Sequence, residues 1–118
     1  MPDLHRATEP ADLNAVFQAL RDERRRDMVV RLSRRPMTVS ELAAPVGMRL
    51  PTAVKHLAIL ESGGIVISKK SGRIRTYQIN PQAFSTIEAW IAQRRSAIEA
   101  GFDRLAQAIA ELPEGGTP

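Results

Sequence analysis

The stretch TVSELAAPVGMRLPTAVKHLAILESGGIVISKKSGRIRTYQI, residues 38–79, decides the fold. Its first part, from Thr38 to Ala43, opens a short helix. Ser40 or Thr38 is the N-cap, since a hydroxyl oxygen there accepts from an unsatisfied first-turn N–H. Gly47, directly after Val46, suits a left-handed C-cap and forces a tight turn. Pro51 then stands where a new helix can begin without losing a needed N–H, and that helix runs to about Ser62, where Gly63-Gly64 stops it. Two short helices about a glycine turn predict a helix-turn-helix. After Gly64 the β-branched run Ile65-Val66-Ile67-Ser68 predicts a strand, Lys70-Ser71-Gly72-Arg73 a turn, and Ile74 to Ile79 a returning strand around Tyr77. A basic hairpin directly behind a helix-turn-helix is a wing.

On the N-terminal side, residues 1–10 are polar with two prolines and read as a flexible arm. From Ala11 to Leu20 the set Leu13, Val16, Phe17 and Leu20 follows i, i+3, i+4, i+7, which predicts one helical stripe. A second helix runs from Asp22 or Glu23 to Arg34, with Asp22 as its cap and Met28, Val29 and Leu32 inward; Arg34-Arg35-Pro36 ends it. The run Arg24-Arg25-Arg26 reads mainly as a solvated face with some phosphate contact. On the C-terminal side a long helix starts at Pro81 and ends before Pro113, leaving 113–118 as a flexible tail. Its apolar positions Phe84, Ile87, Ile91, Ile98, Phe102, Leu105, Ile109 and Leu112 step largely by three and four, with Trp90 beside them and Arg94 interrupting. A seam that long exceeds what a small three-helix core can cover, so a partner helix is the simplest cover. The expected domain is therefore 11–112, with 81–112 as its dimerisation helix.

Charge is unevenly placed. Between Arg49 and Tyr77 six basic residues (Arg49, Lys55, Lys69, Lys70, Arg73 and Arg75) meet one acid, Glu61, a net +5 against +4 for the whole chain. The remainder is slightly acidic, so the whole excess sits in about a quarter of the sequence, the footprint of a nucleic-acid site. The absence of Cys excludes disulfides, thiolate ligands and a Cys nucleophile. No apolar run reaches the length of a membrane span and no leader-like h-region opens the chain, which points to a cytoplasmic, nucleoid-associated protein.

On the helix from Pro51 to Ser62, Ala53, Val54, Leu57 and Leu60 are expected to pack inward, with Thr52, Lys55, His56 and Ile59 pointing largely outward. A hydroxyl, a cation, an imidazole and an apolar group suit base edges and thymine methyls. Arg49 opposes the helix macrodipole in the free protein, and a bound phosphate would reverse that sign.

At this point the chain resembles the ArsR family of winged-helix repressors. The matching segments are ALRDERRRDMVVRL (19–32), MTVSELAAPVGM (37–48), LPTAVKHLAILESGGIV (50–66) and SGRIRTYQIN (71–80), in family order and spacing over roughly residues 11–80. The long helix from Pro81, with Trp90 and an amphipathic tail, is similar to the metal-independent branch. The resemblance implies that Lys55 and His56 lie on the recognition helix and Lys69 to Arg75 on the wing. Val54 stands where many relatives have Ser, and Arg49 where many have a small capping residue, two departures that bear on the operator. Metal-sensing members place a Cys pair near the start of the helix holding Glu41 to Val46, or His and carboxylates on the last helix. Here the only His residues are His5 and His56. His56 reads as a DNA contact or as a buried hydrogen-bonding support for one. Ser40, Ser62 and Ser68 have no His and carboxylate at suggestive spacing, and no GxGxxG or P-loop pattern occurs.

The reading is an α+β, mainly helical, winged helix-turn-helix with five helices and one β-hairpin wing. It implies a non-enzymatic homodimeric repressor of a palindromic operator in double-stranded DNA, with regulation of its own gene left open. Arg49, Pro51, Thr52, Lys55, His56 and Ile59, with Lys69, Lys70, Arg73 and Arg75, are the expected DNA contacts. Leu13, Phe17, Ile87, Trp90, Ile91, Ile98, Phe102, Leu105 and Ile109 are the expected dimer contacts. No metal, cofactor or membrane is called for. A small-molecule effector between the long helices, a protein, or repressor concentration alone are the triggers left open. The rival reading is a winged-helix protein–protein interaction module that buries Lys55 and Ile59 against a partner.

Overall fold

The structure, a computed structural model, describes residues 12–114. The predicted arm 1–10 and the tail beyond Glu114 lie outside the described residues. The chain falls into two compact units, one up to Ile87 and one from Glu88 onward.

In the first unit, α1 (Leu13–Leu20) starts at Asp12, whose side chain accepts from the Asn14 N–H. Helix α2 (Glu23–Leu32) is capped by Asp22, which accepts from the N–H groups of Arg24 and Arg25 and places its charge at the positive end of the helix dipole. Strand β1 (Met37–Thr38) leads into α3 (Val39–Ala43). Thr38 is the N-cap of α3 and forms a capping box: its hydroxyl accepts from the Glu41 N–H at 3.2 Å while Glu41 Oε1 accepts from the Thr38 N–H at 2.9 Å. That bond and Arg35 hold the Glu41 carboxyl below its ordinary range. A 3₁₀ turn (Ala44–Val46) ends on Gly47 at φ 64°, the left-handed cap the sequence predicts. Helix α4 (Leu50–Ser62) follows, with Arg49 at its N-cap and Pro51 in its first turn.

Strands β2 (Val66–Ser71) and β3 (Ile74–Ile79) form the hairpin, in register from Val66↔Ile79 to Ser71↔Ile74. Strand β2 runs past Ser68 to Ser71, further than the sequence suggests, while β3 spans the expected Ile74–Ile79, leaving a two-residue loop, Gly72-Arg73. Of these two, only Gly72 has positive φ (64°), the pattern of a II′ hairpin turn. Strand β1 pairs with β3 through Met37↔Tyr77 and Thr38↔Thr76, giving sheet order β1-β3-β2. This third strand is absent from the sequence reading, because two residues carry no periodicity.

The core gathers Val16 and Ala19 of α1, Met28 and Leu32 of α2, Leu42 of α3, Ala53, Leu57 and Leu60 of α4, and Ile65, Val66 and Tyr77 of the hairpin base. Burial fades along the hairpin, from Val66 inside to Lys69, Lys70 and Ser71 in solvent, so its tip is free to act as a wing. Asn80, also buried, donates to the Gly64 carbonyl at 2.9 Å and accepts from the Gln82 N–H at 3.1 Å, joining the end of α4 to the start of α5 (Pro81–Ala110). Ala83 of α5 is buried in the same core, and Phe84 and Ile87 pack against it. Ile87, expected at a dimer interface, therefore packs against the core of its own unit.

The second unit carries the rest of α5. Trp90, Ile91, Ile98, Phe102, Leu105 and Ile109 are all exposed along it. Arg94 places its guanidinium 5.5 Å above the Trp90 ring, a cation–π contact that seats this charge on the apolar seam.

Candidate nucleic-acid interface

The inward stripe of α4 is Ala53, His56, Leu57 and Leu60, an i, i+3, i+4, i+7 set. At 100° per residue Val54 lies a quarter turn away from Ala53, and it is 46% exposed rather than packed. His56 takes the inward place expected of Val54. It is 7% exposed and its Nδ1 lies 3.4 Å from Nη1 of Arg25, so it supports the recognition helix from behind and does not line its outer face. The polarity of His56 suggests solvent, but periodicity and a buried partner decide its place.

That partner corrects a second expectation. Arg25 is 9% exposed, although the 24–26 run reads as a solvated face. It shares a helical stripe with Met28 and Leu32, a spacing visible in the sequence. Its Nε donates to the Ala19 carbonyl at 2.6 Å and Nη2 to the Gln18 carbonyl at 3.3 Å, which satisfies C-terminal carbonyls of α1. Arg26 does the same at the Leu20 carbonyl, at 2.7 Å. Arg31 donates to the carbonyls of Glu41 (2.6 Å) and Leu42, tying α2 to α3. Three arginines thus use their donors to fix the helices that carry α4.

Burial, with Arg24 and Arg25 nearby, pushes the His56 imidazole below its ordinary range, and Asp22 only partly opposes this. Asp22 loses some solvent, yet the N–H groups of Arg24 and Arg25 and the nearby positive charge hold its carboxyl low.

The outer surface of α4 holds Leu50, Pro51, Val54, Lys55, Ala58 and Ile59, all exposed, with Thr52 half-buried at its edge. Arg49 is exposed at the N-cap with no side-chain capping bond, so its guanidinium is available to an anion there. On the wing Lys69, Lys70, Arg73 and Arg75 are exposed. Arg75 is partly committed: its Nη1 donates to Ser68 Oγ at 2.7 Å, and Ser68 Oγ donates to Glu61 Oε2 at 2.9 Å. This chain of bonds fastens both strands of the wing to the last turn of α4 and occupies the single acid of the basic segment. Nothing in the spacing of Glu61, Ser68 and Arg75 announces it; it follows from the hairpin register.

Among the described residues no group of three His, Cys, Asp or Glu side chains is placed to hold a metal ion. His5 lies outside them. No described helix is long and apolar enough to cross a membrane.

A short helix, a glycine turn and a second helix with one buried and one exposed face, followed by a basic hairpin, define a winged helix-turn-helix. Known proteins agree. A helix-turn-helix domain family matches residues 15–68. The chain is 34% identical over 71 residues to the HTH-type transcriptional regulator Rv2034 of Mycobacterium tuberculosis, covering 60% of this chain and 66% of that protein. It is 30% identical over 79 residues to the arsenical resistance operon repressor of Escherichia coli, covering 66% of this chain and 64% of that one. The chain thus spans about two thirds of the length of these relatives. Among solved structures, the ArsR family transcriptional regulator RHA00566 is 47% identical with a TM-score of 0.71, covering 74% of this chain and 96% of that chain. The homodimeric winged helix-turn-helix DNA-binding domain Mb0332 of Mycobacterium bovis is 26% identical with a TM-score of 0.58, covering 72% and 81%. This chain belongs to the ArsR family of winged helix-turn-helix transcriptional regulators.

Proposed function

We propose that the protein is a homodimeric repressor that binds a palindromic operator, with α4 in the major groove and the wing on the phosphate backbone. The observation that carries this is the exposed basic set, Arg49 at the N-cap of α4 and Lys55 on the helix, with Lys69, Lys70 and Arg73 on the hairpin fastened to it. In the same segment the one acid is already engaged by Ser68. Phosphate contact would fix register and orientation, and the outer face of α4 would supply sequence readout. Arg49 and the N-terminus of α4 both attract a phosphate at one point.

The homodimer is supported by the exposed seam of α5 from Trp90 to Ile109 and by the homodimeric state named for Mb0332. On α1, taken by itself, Leu13 is half-buried and Phe17 is 43% exposed. Repression would follow from covering a promoter; the Escherichia coli relative is named as a repressor. Action on DNA places the protein with the nucleoid. Footprinting on DNA upstream of its own gene tests the reading: two protected half-sites centred about 34 Å apart are expected. Protection of no DNA at salt concentrations where the protein is folded would overturn it.

A further inference from the structure

Between Leu50 and Ser62 the recognition helix contains no Asn, Gln, Arg or Asp. Its one imidazole faces inward against Arg25, and its one carboxylate accepts from Ser68. The side chains that pair bidentately with adenine, and the free carboxylate that would accept from cytosine, are therefore missing from this surface. What α4 does present, beside the half-buried Thr52 hydroxyl at its edge, is a set of aliphatic groups. Val54 is 46% and Ile59 41% exposed, and Ala58 lies between them, one turn beyond Val54. In their midst stands one cation, Lys55, a donor with no acceptor capacity. Exposed valine and isoleucine on a helix flanked by Arg49 and the basic wing fit an occupant that is anionic at its rim and methylated at its floor. The major groove of thymine-containing DNA has that chemistry: phosphates on both sides and C5-methyl groups inside.

We propose that this regulator reads its operator chiefly through thymine methyl groups, contacted by Val54 and Ala58, around one guanine read at O6 and N7 by Lys55. Val54 is then a specificity-determining residue. The inference rests on the DNA-binding reading above and deepens it.

The test uses the full chain and a random-sequence duplex library, selected at physiological salt. The recovered site is then resynthesised with deoxyuridine replacing thymine one position at a time, which removes a methyl and leaves base pairing intact. Loss of each contacted methyl should weaken binding about fourfold, the worth of one buried methyl-sized group. Val54 is a surface residue, so Val54→Ala leaves the fold in place. That variant should bind thymine and uracil alike at the position Val54 touches, while keeping the wild-type response at the others. An enriched site that tolerates uracil everywhere, or holds no thymine, overturns the methyl reading and leaves DNA binding standing. A protein with no salt-dependent affinity for any duplex overturns both, and burial of Val54 and Ile59 against a protein partner becomes the better account.

Discussion

Nη1 of Arg25 and Nδ1 of His56 lie 3.4 Å apart in a buried contact that joins α2 to the recognition helix. A guanidinium can only donate, so Nδ1 is the acceptor and the imidazole is neutral with its proton on Nε2. Protonating His56 sets two cations against each other where water is scarce. The groups facing it are Asp22, Arg24 and Arg25.

A pH dependence follows. The folded His56 has a pKa below that of the unfolded chain, so between the two values the unfolded state binds more protons. Its stabilising contribution is complete above about pH 6.5 and drains away as pH falls from there through the folded pKa. Urea denaturation midpoints should drop over this interval in the wild type. His56→Gln keeps an acceptor for Arg25 and should flatten the dependence. An equally steep profile in His56→Gln would place the titrating group elsewhere; Asp22, also held low, acts only in the lower carboxylate range.

Gly63 is required for space. A Cβ there would meet the Ala15 carbonyl oxygen at 2.9 Å and the Ala19 Cβ at 3.0 Å, so α1 would have to move off α4. Gly63→Ala should cost about 1–3 kcal/mol, the range for overpacking. Gly72 has open space but φ 64°, so Gly72→Ala should cost about 1 kcal/mol through backbone strain alone. Thermal melts of the two variants should rank in that order.

The exposed seam of α5 predicts a dimer in sedimentation at micromolar concentration. Ile98→Asp with Leu105→Asp puts two carboxylates into it, each costing on the order of several kcal/mol if left unpaired at an interface. The double variant should be a folded monomer. A folded dimer would remove α5 from the interface.

With no Cys in the chain and no three-residue ligand cluster among the described residues, a closed zinc site within one protomer has no donors there. Operator affinity should be unchanged by a chelator or by micromolar Zn²⁺. A tenfold change without precipitation would reveal ligands contributed in another way.

The helix-turn-helix, the wing and the five helices are legible in the sequence because each boundary is written in local chemistry. The Thr38–Glu41 box, Gly47, Pro51 and the Gly63-Gly64 stop each act within a few residues. What escapes is decided at long range. Strand β1 exists through its pairing with Tyr77 and Thr76, and Arg25 is buried by the carbonyls that α1 leaves open. The exchange of Val54 and His56 is different in kind. The stripe Ala53, His56, Leu57, Leu60 is present in the sequence, but hydrophobicity alone favours Val54 over His56 for the inward place. Ile87 likewise continues the seam of α5 in sequence, yet packs on the core of its own unit.

The division of labour between helix and wing is the central claim, and one salt titration across four proteins tests it most directly. If the dimer neutralises roughly six to ten phosphates, log K should fall against log salt with a slope of about −5 to −9. Lys70→Ala or Arg73→Ala should weaken operator and random DNA alike and make the slope shallower by about two, since each protomer then neutralises one phosphate fewer. Lys55→Ala should instead shrink the gap between operator and random DNA by about 1–3 kcal/mol. The contrary result is a specificity ratio that survives Lys55→Ala and collapses in Arg73→Ala, which would make the wing the reader and the helix the grip.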